Sequence, residues 1–501
     1  MKKKMLLVTL ILLMTLLCAC NREGTDKEQD NSIVVGISQD MDSLDPHIAV
    51  AAGTKEVLFN IFEGLVKPDT EGNLNPAVAK SYEISEDGMK YTFTLREDVY
   101  FHNGEKVTAK DVEYSVKRCA GMLDDTQEGV IVEPALSVIS QVNIVDDNKI
   151  ELVLKQKDTE LLGYLTFAVI PKDYKDMAAN PVGTGPFKFE AYKPLESMVI
   201  VKNEEYWGDK AYLDKVTFKI SADTDALFLE LMGGTVDIIP YLTDAQAQSL
   251  PKGYELCVGT MNLVQGVYFN CDREPFNNEK VRQAICYALD RQNIIDMVAG
   301  GRGELTGSNV SPRFAKYFSA EARDLYSKNP DKVKSLLKDA GVDKLEFTLT
   351  VPSNYTFHVD TAQIVAAQLK EVGIEVKIEQ VDWATWLSRV YNDRDFQSTI
   401  IGLASDLAPS DTVARFYSKA SNNFVNYNST EFDKLFEEAK AVGNDEEKIK
   451  IYNEIQMLMA KDAPAAYIQD PALLMAVNEE LEGVRFYPVQ VLDMSGIKYK
   501  D

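Results

Sequence analysis

The chain has 501 residues, which at roughly 100–200 residues per unit allows two to four compact units with sizeable cores. Lys+Arg 53 against Asp+Glu 78 leaves a net charge of −25, and such a body repels nucleic acid. With 45% hydrophobic and 9% aromatic residues, it is a folded globular protein rather than a disordered acidic chain or a small disulfide scaffold.

Met1-Lys-Lys-Lys4 leads an apolar run from Met5 to Leu17 in which only Thr9 and Thr15 are polar. That run has about the length of an export-signal core and is short for a bilayer span. It ends in Leu17-Cys18-Ala19-Cys20, which resembles the bacterial lipobox: an aliphatic residue at −3, a small residue at −1, then the lipid-receiving cysteine. Leu17 is bulky for the −1 position, so Cys20 rather than Cys18 is the expected lipidation site and residues 1–19 the signal peptide. From Asn21 to Ser32 there is no aliphatic or aromatic residue to drive packing, so residues 20–32 read as a lipidated cysteine and flexible tether. No later window reaches the length of a transmembrane helix, and the expected attachment to the cell membrane is through the lipid alone.

In chain order, Ile33–Ser38 reads as a strand and Thr54–Phe62 as a helix with Val57, Leu58, Ile61 and Phe62 on one face. Met89–Leu95 alternates with period two, His102-Asn-Gly104 supplies a turn, and Thr108 caps a helix running to Lys117. A hairpin-like stretch, Ile144–Leu154, follows. Gly183-Thr-Gly-Pro186 then breaks the chain before two strands, Phe187–Tyr192 and Met198–Lys202. Beyond Gly266 longer helices are predicted at Asn278–Gly300, Lys332–Ala340, Thr361–Val372 and Glu431–Gly443, with strands at Glu346–Val351 and Ile374–Val381. Helix, glycine, strand in repetition implies an α/β fold with a partly parallel sheet.

Catalytic chemistry is hard to place. The sequence has no G-x-S-x-G elbow, no H-E-x-x-H and no P-loop, and Gly300-Gly-Arg-Gly303 lacks phosphate-loop spacing. Of the three histidines, His102 lies in a turn and His47 follows Asp45-Pro46, both structural positions; the third is His358. Cys119, Cys257, Cys271 and Cys286 form no C-x-x-C pair, so they read as small buried hydrophobes, with any disulfide pairing left open. No catalytic residue, metal ligand or cofactor is expected.

Several blocks converge on one family. Asn60–Val66, Leu74–Tyr82, Asp87–Arg96, Val99–Gly104 with Thr108–Tyr114, Gly183–Phe187, Lys202–Trp207 and Val281–Arg291 stand in the order and spacing of the bacterial family 5 extracellular solute-binding proteins, the peptide- and nickel-binding components of ABC importers, which the chain resembles. The resemblance implies a periplasmic-binding-protein-like α/β fold with mixed sheets, two ligand-closing lobes and an accessory domain. Residues 33–65, 181–262 and 471–501 would build lobe I, residues 66–180 the accessory domain and residues 263–470 the other lobe. It further implies an oligopeptide ligand, ABC permease and ATPase subunits as partners, a monomer, and no turnover.

Many peptide-binding members anchor the peptide ammonium on an aspartate in a Gly-Trp-x-x-Asp segment. Here that segment reads Gly402-Leu-Ala-Ser-Asp406, which makes Asp406 the carried-over amine anchor with Gly402, Leu403 and Ala404 beside it. The alternative for Asp406 is a turn or cap residue before Pro409. Leu403 replaces the aromatic residue, and the stretch to Pro409 is one residue short. The arginine that dipeptide binders carry before the helix at about Thr361 is absent from Val351-Pro-Ser-Asn-Tyr355, which argues against a strict dipeptide binder. Arg302 and Arg415 are alternative anion partners or solvated surface arginines, Met41 and Asp42 are candidate wall residues, and Trp383 and Trp386 stand at i and i+3 so that one can face the cleft. Other readings are a nickel- or cobalt-chelate receptor of the same fold and, in a different class, an exported hydrolase.

Overall fold

A computed structural model describes residues 31–49, 51–123, 133–353, 355–404 and 407–500. The signal segment, Cys20, most of the tether and Asp406 lie outside the described residues.

A seven-stranded sheet orders Tyr254–Thr260, Ala472–Asn478, Ile238–Ile239, Ser32–Ile37, Lys215–Ile220, Ser197–Lys202 and Phe187–Lys193. A six-stranded sheet orders Glu304–Leu305, Ala465–Asp470, Leu263–Phe269, Ser398–Ala404, Glu346–Pro352 and Glu375–Val381. These are the centres of two lobes. A third, antiparallel sheet of Ala79–Ile84, Lys90–Leu95, Lys149–Leu154 and Ile139–Asp146 forms the accessory unit.

The accessory sheet shows the period-two pattern that the sequence displays. Ile150, Leu152 and Leu154 are buried on alternate positions beside Tyr91 and Phe93, and helix Ala109–Cys119 lays Val112 and Val116 onto the same core. That helix begins where Thr108 predicts: Asp111 accepts the Thr108 N–H at 2.9 Å and its hydroxyl at 2.6 Å, completing a capping box.

The six-stranded sheet is covered on both faces. Helices Glu279–Ala288, Arg291–Ala299, Pro330–Asp339 and Thr356–Glu371 pack on one side, around Phe347, Leu349 and Val267; Thr430–Ala441 and Asp445–Asp462 pack on the other, around Tyr268, Ile401 and Trp386. The single helix expected at Asn278–Gly300 is two. It breaks at Leu289-Asp290, where the Asp290 carboxylate accepts the Asn293 N–H at 3.0 Å and caps a new helix, while Gln368 holds the freed Asp290 N–H at 2.8 Å. The helix expected from Thr361 starts earlier, at Thr356. Among the described residues, no helix is long and apolar enough to cross a membrane. Cys119, Cys257, Cys271 and Cys286 are free thiols, with Cys119 and Cys286 buried.

The first lobe and the accessory unit are joined by a dense polar junction. Glu63 of the first lobe is buried and receives Tyr206 Oη at 2.6 Å, Trp207 Nε1 at 2.7 Å and Thr184 Oγ1 at 3.3 Å from its own lobe, and Lys67 Nζ at 3.0 Å from the accessory unit. Within the first lobe, Asn60 donates to the Leu492 carbonyl at 2.7 Å and accepts the Met494 N–H at 2.8 Å, which ties the C-terminal return to the chain entering the junction. Arg118 of the accessory helix clamps Asp45 with two parallel bonds of 2.9 and 2.8 Å. His47 Nε2 donates to the Ala168 carbonyl at 2.8 Å; His102 Nε2 donates to the Gly185 carbonyl at 3.1 Å, and its Nδ1 accepts the Gly183 N–H at 3.3 Å. Burial pushes both imidazoles down to about 4, so they are neutral staples.

Candidate functional site

Strand direction fixes where the site lies. In the six-stranded sheet Leu263–Phe269 runs antiparallel to both Ser398–Ala404 and Ala465–Asp470, while Ser398–Ala404 is parallel to Glu346–Pro352, which is parallel to Glu375–Val381. The carboxyl ends Pro352, Val381, Ala404 and Asp470 therefore share one edge, where Leu263 begins. In the seven-stranded sheet the pairings place the carboxyl ends Ile37, Ile220, Ile239 and Thr260 on the edge where Ala472 begins. The chain crosses between these edges at Met261-Asn262 and at Pro471. The Met261 N–H donates to the Pro471 carbonyl at 3.0 Å and ties the two crossings together. The sheets thus meet carboxyl end to carboxyl end at the two crossings, the position where open α/β sheets and two-lobed proteins hold small ligands.

The candidate residues sit on these edges, but their side chains divide. Gly402 and Ala404 occupy the last three positions of their strand with Leu403 between them, and Leu403 turns inward onto the core beside Trp386 and Tyr268. A Cβ on Gly402 would come within 2.0 Å of Leu263 Cδ2, so the residue is small because the neighbouring strand covers it. Met41 is buried among Ile37, Leu44 and Val57 and is core rather than wall. Asp42 holds its own turn, accepting the Ala51 N–H at 3.0 Å. Arg302 is ion-paired with Asp244, a contact that carries it from the second lobe to a helix of the first and occupies its charge. It bridges the lobes.

The two tryptophans split the roles open to them. Trp386 is 2% exposed and donates Nε1 to Thr399 Oγ1 at 2.9 Å; Trp383 is 36% exposed and stacks flat on it at 5.1 Å. Tyr355, 41% exposed at the end of Glu346–Pro352, meets Trp383 edge to face at 5.5 Å. An aromatic shelf thus stands at the carboxyl ends of two adjacent parallel strands. Arg415 places Nη2 3.4 Å from the Ala404 carbonyl, and its buried Nε has no hydrogen-bond partner among the described residues.

Beneath the edge lies a polar layer that sequence reasoning missed. Gln265 Nε2 donates to His358 Nδ1 at 2.9 Å and to Thr361 Oγ1 at 3.1 Å, and Gln469 Nε2 donates to Gln265 Oε1 at 2.9 Å. Burial pushes His358 down to about 4. The available signal was two glutamines inside otherwise apolar strand runs. At the crossing itself, Asn262 takes a left-handed backbone (φ 50°) and donates to the Tyr487 carbonyl at 2.6 Å. Asp470 accepts Ser311 Oγ at 2.5 Å and the Leu263 N–H at 3.3 Å. Burial pushes the Asp470 carboxyl up to about 7, and burial does the same to Glu56, against the opposing bond from Tyr241.

These shifts have opposite consequences. The histidines titrate near 6.5 when unfolded and near 4 when folded, so their stability contribution is present above pH 6.5 and lost as pH falls toward 4. Asp470 and Glu56 contribute below about pH 4, and that contribution is lost as pH rises through 7. Asp470→Asn is expected to raise stability at pH 8 by about 2 kcal/mol and to steepen its rise between pH 5 and 7. Urea unfolding across that range reads both, and a parallel pair of curves would contradict the assignment.

Among the described residues, no group of three or more His, Cys, Asp or Glu is gathered as a metal site. The family described as bacterial extracellular solute-binding proteins, family 5 (middle region), matches residues 73–425. The chain is 27% identical to the oligopeptide-binding protein AppA of Bacillus subtilis strain 168, over 97% of this chain and 96% of that one. The solved structure of the periplasmic binding protein DppA from Helicobacter pylori in complex with the peptide STSA superposes with a TM-score of 0.81 at 26% identity, covering 94% of this chain and 98% of that one. NikZ from Campylobacter jejuni in complex with Ni(L-His) shares the fold, with a TM-score of 0.80 at 22% identity over 94% of this chain and 99% of that one.

Proposed function

The chain belongs to the bacterial extracellular solute-binding proteins of family 5, and from that premise we propose that it is the lipid-anchored receptor of an ABC importer, capturing oligopeptides between its lobes and handing them to the permease. The observation that carries the reading is the meeting of the two sheets carboxyl end to carboxyl end, at the edge where the strand Ser398–Ala404 ends two residues before Asp406. An extended peptide is held through its backbone, which gives affinity with little dependence on side chains. Asp406 takes its ammonium, a pairing that selects a free N-terminus. The Trp383–Tyr355 shelf receives a flat or apolar side chain. Residues 33–65, 181–262 and 471–501 form the first lobe, residues 66–180 the accessory domain and residues 263–470 the second lobe. Cys20 carries the lipid, and the receptor works as a monomer without catalysis.

Native mass spectrometry of the protein purified without added ligand, compared with the same sample denatured, tests this. A ladder of adducts at peptide masses, lost in Asp406→Ala, is the expected result. A single adduct with a nickel or cobalt isotope pattern, or one discrete non-peptide mass, would move the cleft to chelate or other solute uptake. Peptides shortened on incubation would make the protein a hydrolase.

A further inference from the structure

Among the described residues, the segment 158–164 of the accessory unit makes a densely hydrogen-bonded contact with the second lobe. Lys440 Nζ lies 2.9 Å from Asp158, and the Thr159 N–H donates to the Lys440 carbonyl at 3.0 Å. The Thr159 hydroxyl stands 2.8 Å from the Val442 carbonyl and receives Lys448 Nζ at 2.6 Å. The carbonyls of residues 440 and 442 are the orphans at the end of helix Thr430–Ala441, so a segment of another unit terminates this helix. Glu160, buried, accepts Tyr452 Oη at 2.7 Å on one oxygen and the Ser410 N–H at 2.7 Å on the other, with Lys448 at 3.4 Å. Tyr164 Oη and Ser410 Oγ are 3.0 Å apart, and a Cβ on Gly163 would reach within 2.8 Å of the Ala408 nitrogen.

Chain topology says when this contact exists. The accessory strands enter from Ser32–Ile37 and leave into Phe187–Lys193, both in the seven-stranded sheet, and the unit is fastened there by Arg118–Asp45, His47–Ala168 and His102–Gly185. It has no covalent link to the six-stranded sheet. Any bending at residues 260–263 and 470–472 carries the accessory unit away with the first lobe. Every bond from residues 158–164 to Ser410, Lys440, Lys448 and Tyr452 must then break.

We propose that residues 158–164 are a closure latch: on closing, Asp158, Thr159 and Glu160 seat in a preformed socket of Lys440, Lys448, Tyr452 and Ser410 and lock the second lobe to the accessory unit. Ala408 and Ser410 stand two and four residues beyond Asp406 in the sequence, so the latch also holds the chain shortly after that position. The socket is buried, and opening leaves charges that must be rehydrated; this makes the latch an all-or-none contact rather than a sliding one.

The test uses the protein as purified, with whatever solute it has captured retained, and needs no knowledge of that solute. Lys448→Met and the milder Tyr452→Phe are compared with the native chain by hydrogen exchange read by mass spectrometry and by small-angle X-ray scattering. Lys448→Met is expected to raise exchange at least tenfold in residues 158–164 and 408–414 and to enlarge the radius of gyration. Strands Ser32–Ile37 and Leu263–Phe269 should keep native protection, and Tyr452→Phe should fall between. A rise spread equally over both sheets would mean a purely structural contact and overturn the latch, as would unchanged exchange and size in both variants.

Discussion

Arg118→Met is expected to lower the unfolding free energy by about 3–5 kcal/mol, because it strands a buried carboxylate. Asp45 and Arg118 face each other through two parallel bonds, with side chains 7% and 10% exposed, and Asp45 also accepts the His47 N–H at 3.0 Å. Methionine fills most of the volume but offers no donor, so Asp45 must stay charged without a partner or take up a proton. Asp45→Asn together with Arg118→Met removes the charge and should recover at least half of the loss. Urea unfolding of the four proteins in a double-mutant cycle measures this. If the single variant lost less than about 1 kcal/mol, the pair would be no better than a surface ion pair.

Gly183→Ala is expected to remove more than about 4 kcal/mol or to abolish soluble protein. A Cβ there would stand 2.0 Å from the Ile61 carbonyl oxygen, and one at Gly185 would stand 2.6 Å from that of Asn60. Neither segment can withdraw. Gly185 N–H donates to Ile61 at 2.9 Å, Phe187 N–H to Asn60 at 3.1 Å, and His102 N–H to the Gly183 carbonyl at 2.9 Å. Gly443→Ala is the control: the nearest atom to its Cβ would be Lys157 Nζ at 3.9 Å, and stability should change by no more than about 0.5 kcal/mol. Equal denaturation midpoints for the two variants would refute the close-approach argument.

These two sites show what the sequence made legible. The blocks that carry the family resemblance, around Asn60–Val66, Val99–Gly104, Gly183–Phe187 and Lys202–Trp207, converge on the Glu63 and His102 junction between the first lobe and the accessory unit, not on the cleft. They identify the fold because backbone contact and buried carboxylates tolerate few residue types. The cleft is harder to read. Its floor includes Ala465–Asp470 and Ala472–Asn478, which no periodicity announced because strands covered on both faces do not alternate. Helix Asp445–Asp462, which supplies the latch residues Lys448 and Tyr452, is equally hard to read from the sequence, because its buried positions include the polar Lys448 and Gln456. Met41 and Arg302 are candidates by position alone, and the fold turns one to the core and pairs the other with Asp244. The split at Asp290 was hidden because an aspartate inside an amphipathic run reads as a solvent-facing residue until its carboxylate is seen to cap the next turn.

The paired crossings carry a kinematic consequence. One link is two residues long and the other a single proline, and a peptide unit spans at most about 3.6 Å, so neither has slack for sliding or for rotation about the long axis. Met261 and Pro471 are bonded side by side, which leaves one soft direction: rotation about a line through both links. The molecule is therefore a jaw with a single degree of freedom. Its gap widens along the whole rim opposite that line, so in the role proposed above an extended peptide would come in broadside, all of its backbone at once, rather than being threaded from one end.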